Sequence, residues 1–108
     1  MKIRQWEVWK TRPPGFERDH WFVIISGQER LDSARHTQVN GLACFTLRGS
    51  PLKTDVLLNG ADGFQFATAC QCDLFFFLDK NKLHSSLGTV SWERQQQIKS
   101  KLREVFRL

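Results

Sequence analysis

Apolar and polar residues alternate through "KIRQWEVWK" at residues 2–10, with Ile3, Gln5 and Glu7 on one parity and Arg4, Trp6 and Val8 on the other. With its aromatic and β-branched content, this predicts a half-buried strand. "TRPPGFERD" interrupts it, because two prolines and a glycine cannot continue a ladder. "HWFVIISGQ" is apolar without a break from Trp21 to Ile25, the pattern of a central strand covered on both faces, and Gly27 stops it.

"ERLDSARHTQ" is polar and reads as a loop, with room for a short helical turn. "VNGLACFTLRGS" supplies another short strand ending at Gly49, and "TDVLLN" a further one. A Gly-Ala-Asp-Gly turn follows, then a long strand pattern from Phe64 onward. The period then changes: Ser91 is placed to N-cap a helix in which Ile98, Leu102, Val105 and Phe106 follow 3.6-residue spacing. Five or six successive strands and a closing helix predict a mainly β fold, a small antiparallel barrel with a C-terminal α-helix. In "DLFFFL" the three phenylalanines cannot share one face, so Phe75 and Phe77, or else Phe76, need cover from the helix or from a second copy of the chain.

The 108 residues suit a single domain spanning 1–108. With 41% apolar and 12% aromatic residues, the chain is a folded globule and not a disordered tail. No apolar run reaches the ~18 residues that span a bilayer, and "MKIRQWEVWK" has no signal-peptide core, so a cytoplasmic protein without membrane association is expected. Three cysteines, an odd number, argue against a disulfide framework. Cys70 and Cys72 would share a strand face, with Cys44 and His84 as conceivable further ligands. Their one-residue spacing is not that of zinc pairs, so buried free thiols and no metal are expected. The net charge of +5 favours polyanions without choosing between RNA, DNA, an acidic protein and plain solubility. On the helix, Arg94, Lys99, Lys101, Arg103 and Arg107 read as a solvated outer face.

No Walker loop, GxGxxG, HExxH or GxSxG occurs, which leaves nucleotide hydrolysis, dehydrogenation and serine hydrolysis without support; the S-x-x-K match in "SPLK" is a chance one. Polar residues gather instead at strand ends: Glu17, Arg18, Asp19 and His20 at one entrance, Thr46 and Arg48 at an exit, Gln71 and Asp73 within a third strand. Such a set suits metal-free cleavage of a phosphodiester, which needs a base for the ribose 2′-hydroxyl, an acid for the leaving oxygen and a cation or hydroxyl donor for the phosphate. His20 or Glu17 could exchange protons, and Arg18 and Thr46 could bind the phosphate. The bland alternative is a solvated strand flank at each position.

The order of segments resembles the MazF/PemK-like toxins of type II toxin-antitoxin systems, within the CcdB/MazF superfamily, over nearly the whole chain. "EVW" at 7–9 is similar to that family's opening strand, "FVIIS" to its "R-P-A-V-V-[IL]-S" strand, and "LACFT" to the strand ending in Pro-[IL]-Thr. "CDLFFFLD" stands where the family has "CDQ-x-R-T-[IV]-D", and "LHSSLGTVSWERQQQIKSKLREVFRL" is similar to its "L-x-x-x-[IL]-G-x-[LV]-[ST]" turn and terminal helix. The resemblance implies an SH3-like, CcdB-type barrel, usually a homodimer. It also implies a cofactor-free, metal-independent endoribonuclease that cuts single-stranded RNA, with a cognate antitoxin whose disordered tail occludes the groove.

By position, Thr46 matches the family's active-site threonine, Asp73 the aspartate some members use, and Glu17 the glutamate of "G-H-E-Q". The departures are several. The catalytic arginine falls on His20, followed by Trp21 in place of proline; the loop histidine falls on Phe16, the arginine before "CD" on Gln71, the arginine of "R-T-[IV]-D" on Phe76, and the glycine before "EVW" on Trp6. Histidine lacks arginine's permanent charge and planar fork of donors. Either Arg18, two residues away, supplies that cation, or catalysis is altered or lost. The expected catalytic set is Arg18, His20, Thr46, Asp73 and Glu17, with Arg48 and Gln71 contacting RNA. The rivals are a binding module for RNA or an antitoxin-like peptide and, more distantly, an inhibitor of a protein such as gyrase.

Overall fold

The computed structural model describes residues 2–108. Six strands, β1 (Glu7–Thr11), β2 (His20–Ile24), β3 (Gln38–Thr46), β4 (Asp55–Leu58), β5 (Thr68–Asp79) and β6 (Ser85–Thr89), form one antiparallel sheet in the order β4-β5-β3-β2-β1-β6. The sheet curls into a half-barrel closed by the C-terminal helix, as the pattern predicts. The short helix α1 (Gln28–Asp32) occupies the polar segment after β2, and α2 (Trp92–Phe106) ends the chain. No helix among the described residues is long and apolar enough to cross a membrane.

The uninterrupted apolar run of β2 is explained by its two neighbours. Phe22 and Ile24 enter one core with Trp9, Leu31, Val39 and Leu78, while Val23 enters the other with Val8, Leu42, Cys70 and Ile98. Helix α2 covers the second core, where Ile98 is fully buried and Leu102 half-buried. The last turn of α2 leaves the core: Phe106 stacks face to face on Phe75 of β5 (centroids 5.0 Å apart, planes at 8°). The phenylalanine run therefore divides as alternation requires. Phe76 packs edge-on against Phe16 and Phe22 in the first core, Phe75 meets the helix, and Phe77 is left 70% exposed.

Three details differ from the sequence reading. The strand pattern from Phe64 onward enters the ladder only at Thr68, because Gly63 (φ +94°) and the turn before it still direct the chain. The segment around "SSLGT", expected as a turn, pairs with β1 as an edge strand. Ser91 does occupy the N-cap position of α2, yet its side chain makes no capping bond; its backbone N–H donates to Asp62 Oδ1 at 2.8 Å. Asp62, 1% exposed, also accepts the Asn59 N–H on Oδ2 at 2.9 Å. One buried carboxylate thus ties the turn after β4 to the start of α2, and next to it Gly63 lies against the Leu87 carbonyl of β6. These contacts draw the two ends of the sheet together where no ladder joins them.

Trp6, at the place where the resembled family has glycine, holds φ at +73°. Its N–H donates to the Ile24 carbonyl (2.7 Å) and its carbonyl accepts from Val90 (2.9 Å), so bonds on both sides hold a conformation that costs an L-residue roughly 1–2 kcal/mol.

Candidate functional site

The register of β2 on β3 sets Trp21 opposite Cys44, which places the entrance of β2 beside the exit of β3. Thr46 in turn lies opposite Thr68 at the start of β5. The residues leading into β2, those leaving β3 and the segment Gly63–Thr68 therefore surround one cleft of about 790 Å³, with Leu87 of β6 on its remaining side.

Four of the seven expected site residues line this cleft: Arg18, His20, Thr46 and Arg48. Arg18 sits in a bend before β2, so strand alternation does not govern it, and it still faces the cleft. It is free of the acidic neighbour at its side. Asp19 is engaged instead by Arg12 (Nε to Oδ1, 3.7 Å) and by His84 (Nε2 to Oδ2, 3.1 Å). His20 opens β2; its ring is half-buried, edge-on to Phe16 (5.0 Å) and tilted against Phe45 (5.1 Å). Thr46, the last residue of β3, is exposed, as is Arg48 just beyond it. The polar side of the cleft thus carries the guanidinium groups of Arg18 and Arg48, the His20 imidazole, the hydroxyls of Thr46 and Thr68, the Gln65 amide and the Asp19 carboxylate, the last paired with Arg12 and His84; the cations, hydroxyls and imidazole are groups that can hold a phosphate and move a proton.

The other three lie outside the lining. Glu17 is exposed, and only its backbone carbonyl is engaged, by Arg12 Nη1 at 3.3 Å. Gln71 and Asp73 fall where β5 bulges. Pairing with β3 jumps from Cys44–Cys70 to Leu42–Phe75, so the residues between have no partner on β3, and Gln71 pairs outward with Asp55 of β4. A bulge of this size re-aims the side chains it contains, which motif matching along the sequence cannot register.

The apolar side of the cleft was not read from the sequence. Trp21, Phe45, Phe64 and Phe66 line it, and Lys10 stands 5.1 Å over the Trp21 ring. The alternation in "FQFAT" would bury Phe64 and Phe66 alike; Phe64 is 9% exposed and Phe66 69%, because the segment is loop and not strand. Cys44 lines the cleft, and all three cysteines, Cys44, Cys70 and Cys72, are free and buried. The Cys44 side chain hydrogen-bonding to Cys70, with burial adding to it, pushes that thiol well up, and Cys70 together with burial does the same to Cys72. Protonated thiols are poor nucleophiles and metal ligands, and among the described residues no group of three or more His, Cys, Asp or Glu is arranged to hold a metal ion.

By sequence, no family model and no curated protein matches the chain. Solved structures do match. One is an endoribonuclease in complex with its cognate antitoxin from a Mycobacterial species, at 21% identity and TM-score 0.81, covering 98% of this chain and 96% of the other. A second is the Mycobacterium tuberculosis toxin MazF-mt6, at 16% identity and TM-score 0.77 over 94% and 97% of the two chains. A third is MazE-MazF from Deinococcus radiodurans, at 11% identity and TM-score 0.75 over 98% and 96%. Near-complete coverage in both directions at these scores identifies the architecture: the chain has the fold of the MazF-like toxins.

Proposed function

We propose that the protein is the toxin of a type II toxin-antitoxin system, a metal-independent endoribonuclease acting on single-stranded RNA in the cytoplasm. The observation that carries this reading is the convergence of Arg18, His20, Thr46 and Arg48 on one cleft of the MazF-like fold. In the proposed reaction the ribose 2′-oxygen attacks the adjacent phosphorus as its proton passes to a base. The bond to the 5′-oxygen breaks, that oxygen is protonated, and a 2′,3′-cyclic phosphate and a 5′-hydroxyl result. His20 is the proton-transfer group; Arg18 and Arg48 balance the charge building on the phosphate oxygens, and Thr46 donates a hydrogen bond to one of them. Glu17, Gln71 and Asp73, outside the cleft lining, have no step in this scheme.

A second reading is favoured by one observation. The ring of His20 is flanked by Phe16 and Phe45, and no arginine stands at its position. A cleft that keeps two arginines but loses its proton-transfer group would bind RNA, or an acidic antitoxin segment, without cutting. Incubation of the purified protein with a long single-stranded RNA in EDTA separates the two. Cleavage that falls at least ~100-fold in His20→Ala and in Arg18→Ala supports the nuclease; an unchanged rate in Arg18→Ala removes the arginine from the scheme. Retention of RNA on a filter without cleavage, beyond a mock purification, supports the binding module.

The partners proposed are a cognate antitoxin, as in the similar complexes, and a second copy of the chain. For the latter, the stacked pair Phe75 and Phe106, with Phe77 two residues further along β5 and Leu108 just after α2, leaves large apolar side chains 44%, 43%, 70% and 89% exposed. Sedimentation as a dimer that Phe77→Glu converts to a monomer is the expected result; a monomeric wild type rejects the homodimer.

A further inference from the structure

We propose that Phe66 and Gln65 form a base-reading subsite, in which the Phe66 ring stacks on a nucleobase turned out of the RNA strand and the Gln65 amide hydrogen-bonds its edge. This rests on the reading of the cleft as an RNA site and adds to it the feature that would choose where the strand is held.

Phe66 is 69% exposed, so most of its ring is open to a ligand, and its backbone is held in that position by its surroundings. Gly63 turns the chain at φ +94° against the Leu87 carbonyl, and the Phe64 N–H donates to the Asn59 carbonyl at 3.2 Å. Beyond it, the Thr68 hydroxyl donates to the Phe66 carbonyl at 2.9 Å and the Leu47 N–H to the Ala67 carbonyl at 2.9 Å. Bonds on both sides of Phe66 fix its backbone while its ring faces the cleft that also holds Arg18, Arg48 and Thr46. Single-stranded nucleic acid is bound by this pairing of cations for the backbone with an aromatic face for a base. An acidic peptide would satisfy the arginines equally, whereas every nucleotide of a single strand brings a planar face for the Phe66 ring together with a phosphate for the arginines. Gln65, exposed and on the same cleft lining, offers a donor and an acceptor on one planar group, the arrangement that distinguishes base edges. Stacking tolerates any base, whereas the amide discriminates between them.

The test is fluorescence anisotropy with a labelled single-stranded RNA carrying 2′-O-methyl groups throughout, which cannot be cut, beside an abasic phosphodiester oligomer of equal length and charge. Phe66→Ala is expected to bind the RNA about tenfold or more weakly and the abasic oligomer as wild type does, while Phe66→Trp retains affinity. Gln65→Ala is expected to narrow the differences among A-, C- and U-rich strands with little change in their mean. Because Phe66 is mostly exposed, its substitution should leave the thermal midpoint in place, and that is measured alongside. Wild-type affinity for RNA in Phe66→Ala, or an equal loss for the abasic oligomer, would overturn the subsite while leaving the nuclease reading intact. Failure of the wild type to bind either oligomer would overturn both.

Discussion

Replacing Asp62 by alanine should both destabilise the fold and loosen the cleft. The carboxylate is 1% exposed and accepts two backbone N–H groups, from Ser91 at 2.8 Å and from Asn59 at 2.9 Å. It also faces the N-terminus of α2, where a negative charge is favoured. Hydrogen bonds to an ionised acceptor contribute about 1.5–3 kcal/mol each. Ser91 is only half-buried and Asn59 is exposed, so water can partly replace the lost acceptor, and the lower end applies to both. The expected loss is about 3 kcal/mol, or about 13 °C in Tm for a chain of 108 residues. Urea unfolding should show the midpoint falling with the slope unchanged. Asp62→Asn keeps an acceptor for one N–H and should lose about half as much. A loss below ~1 kcal/mol in Asp62→Ala would refute the claim that this carboxylate closes the sheet, since it would mean that both N–H groups do as well with water. The same variant bears on function, because the turn that Asp62 anchors leads directly into Gly63–Phe66, one wall of the cleft.

Other expectations follow from close contacts and from the thiols. Gly63→Ala would force an L-residue to φ +94° and set its Cβ 2.9 Å from the Leu87 carbonyl oxygen; a loss of about 1–3 kcal/mol is expected by urea unfolding, and none would show that the loop moves freely away from β6. Gly41→Ala would bring a Cβ to 2.5 Å from Leu78 Cδ1 and 3.1 Å from Phe22 Cβ, so overpacking should cost about 1–3 kcal/mol, and wild-type stability would show that Leu78 can turn aside. The raised thiols of Cys70 and Cys72 make stability depend on alkaline pH. Below the unfolded thiol pKa of about 8.5 both states are protonated; above it the unfolded chain loses protons that the native chain keeps. Stability contributed by these thiols is thus full below about pH 8.5 and declines as pH rises, by at most about 1.4 kcal/mol per pH unit for each thiol. Cys72→Ala should flatten that decline between pH 8 and 10, and an unaltered slope would reject the assignment.

The architecture was legible where side-chain burial follows the backbone period. The apolar run of β2 and the spacing of Ile98 and Leu102 in α2 reflect contacts made throughout an element, and such contacts leave a repeating trace. β6 left none: "SSLGT" is mostly exposed, held to β1 by main-chain bonds, with little apolar patterning to mark it. The expected residues that share the cleft are those at the ends of regular strands. His20 and Thr46 close the paired segments of β2 and β3, and Arg18 and Arg48 lie within two residues of them. Asp73 and Gln71 lie outside the cleft lining, where a bulge in β5 cancels the alternation on which counting along a strand depends. The exposure of Phe66 on the cleft was not expected for a related reason, since an alternating pattern in a loop imitates a strand.

Two of the departures from the resembled family then separate what a backbone enforces from what a side chain must supply. At Trp6 the glycine is gone and the left-handed turn is kept, because the bonds to Ile24 and Val90 are made by main-chain atoms that any residue carries. At His20 the position is kept on the cleft, but the permanent charge and forked donors of arginine are not, and no main-chain bond can restore them. A similar fold is therefore kept at low sequence identity, while the chemistry of a cleft depends on its individual side chains. On the proposed reading, the cations that a phosphate would meet in this cleft are Arg18 and Arg48, and His20 is the group that would move a proton. That division makes the Arg18→Ala and His20→Ala variants separable: cleavage lost in both, with affinity for an uncleavable RNA lost in the first and kept in the second, is the pattern it requires.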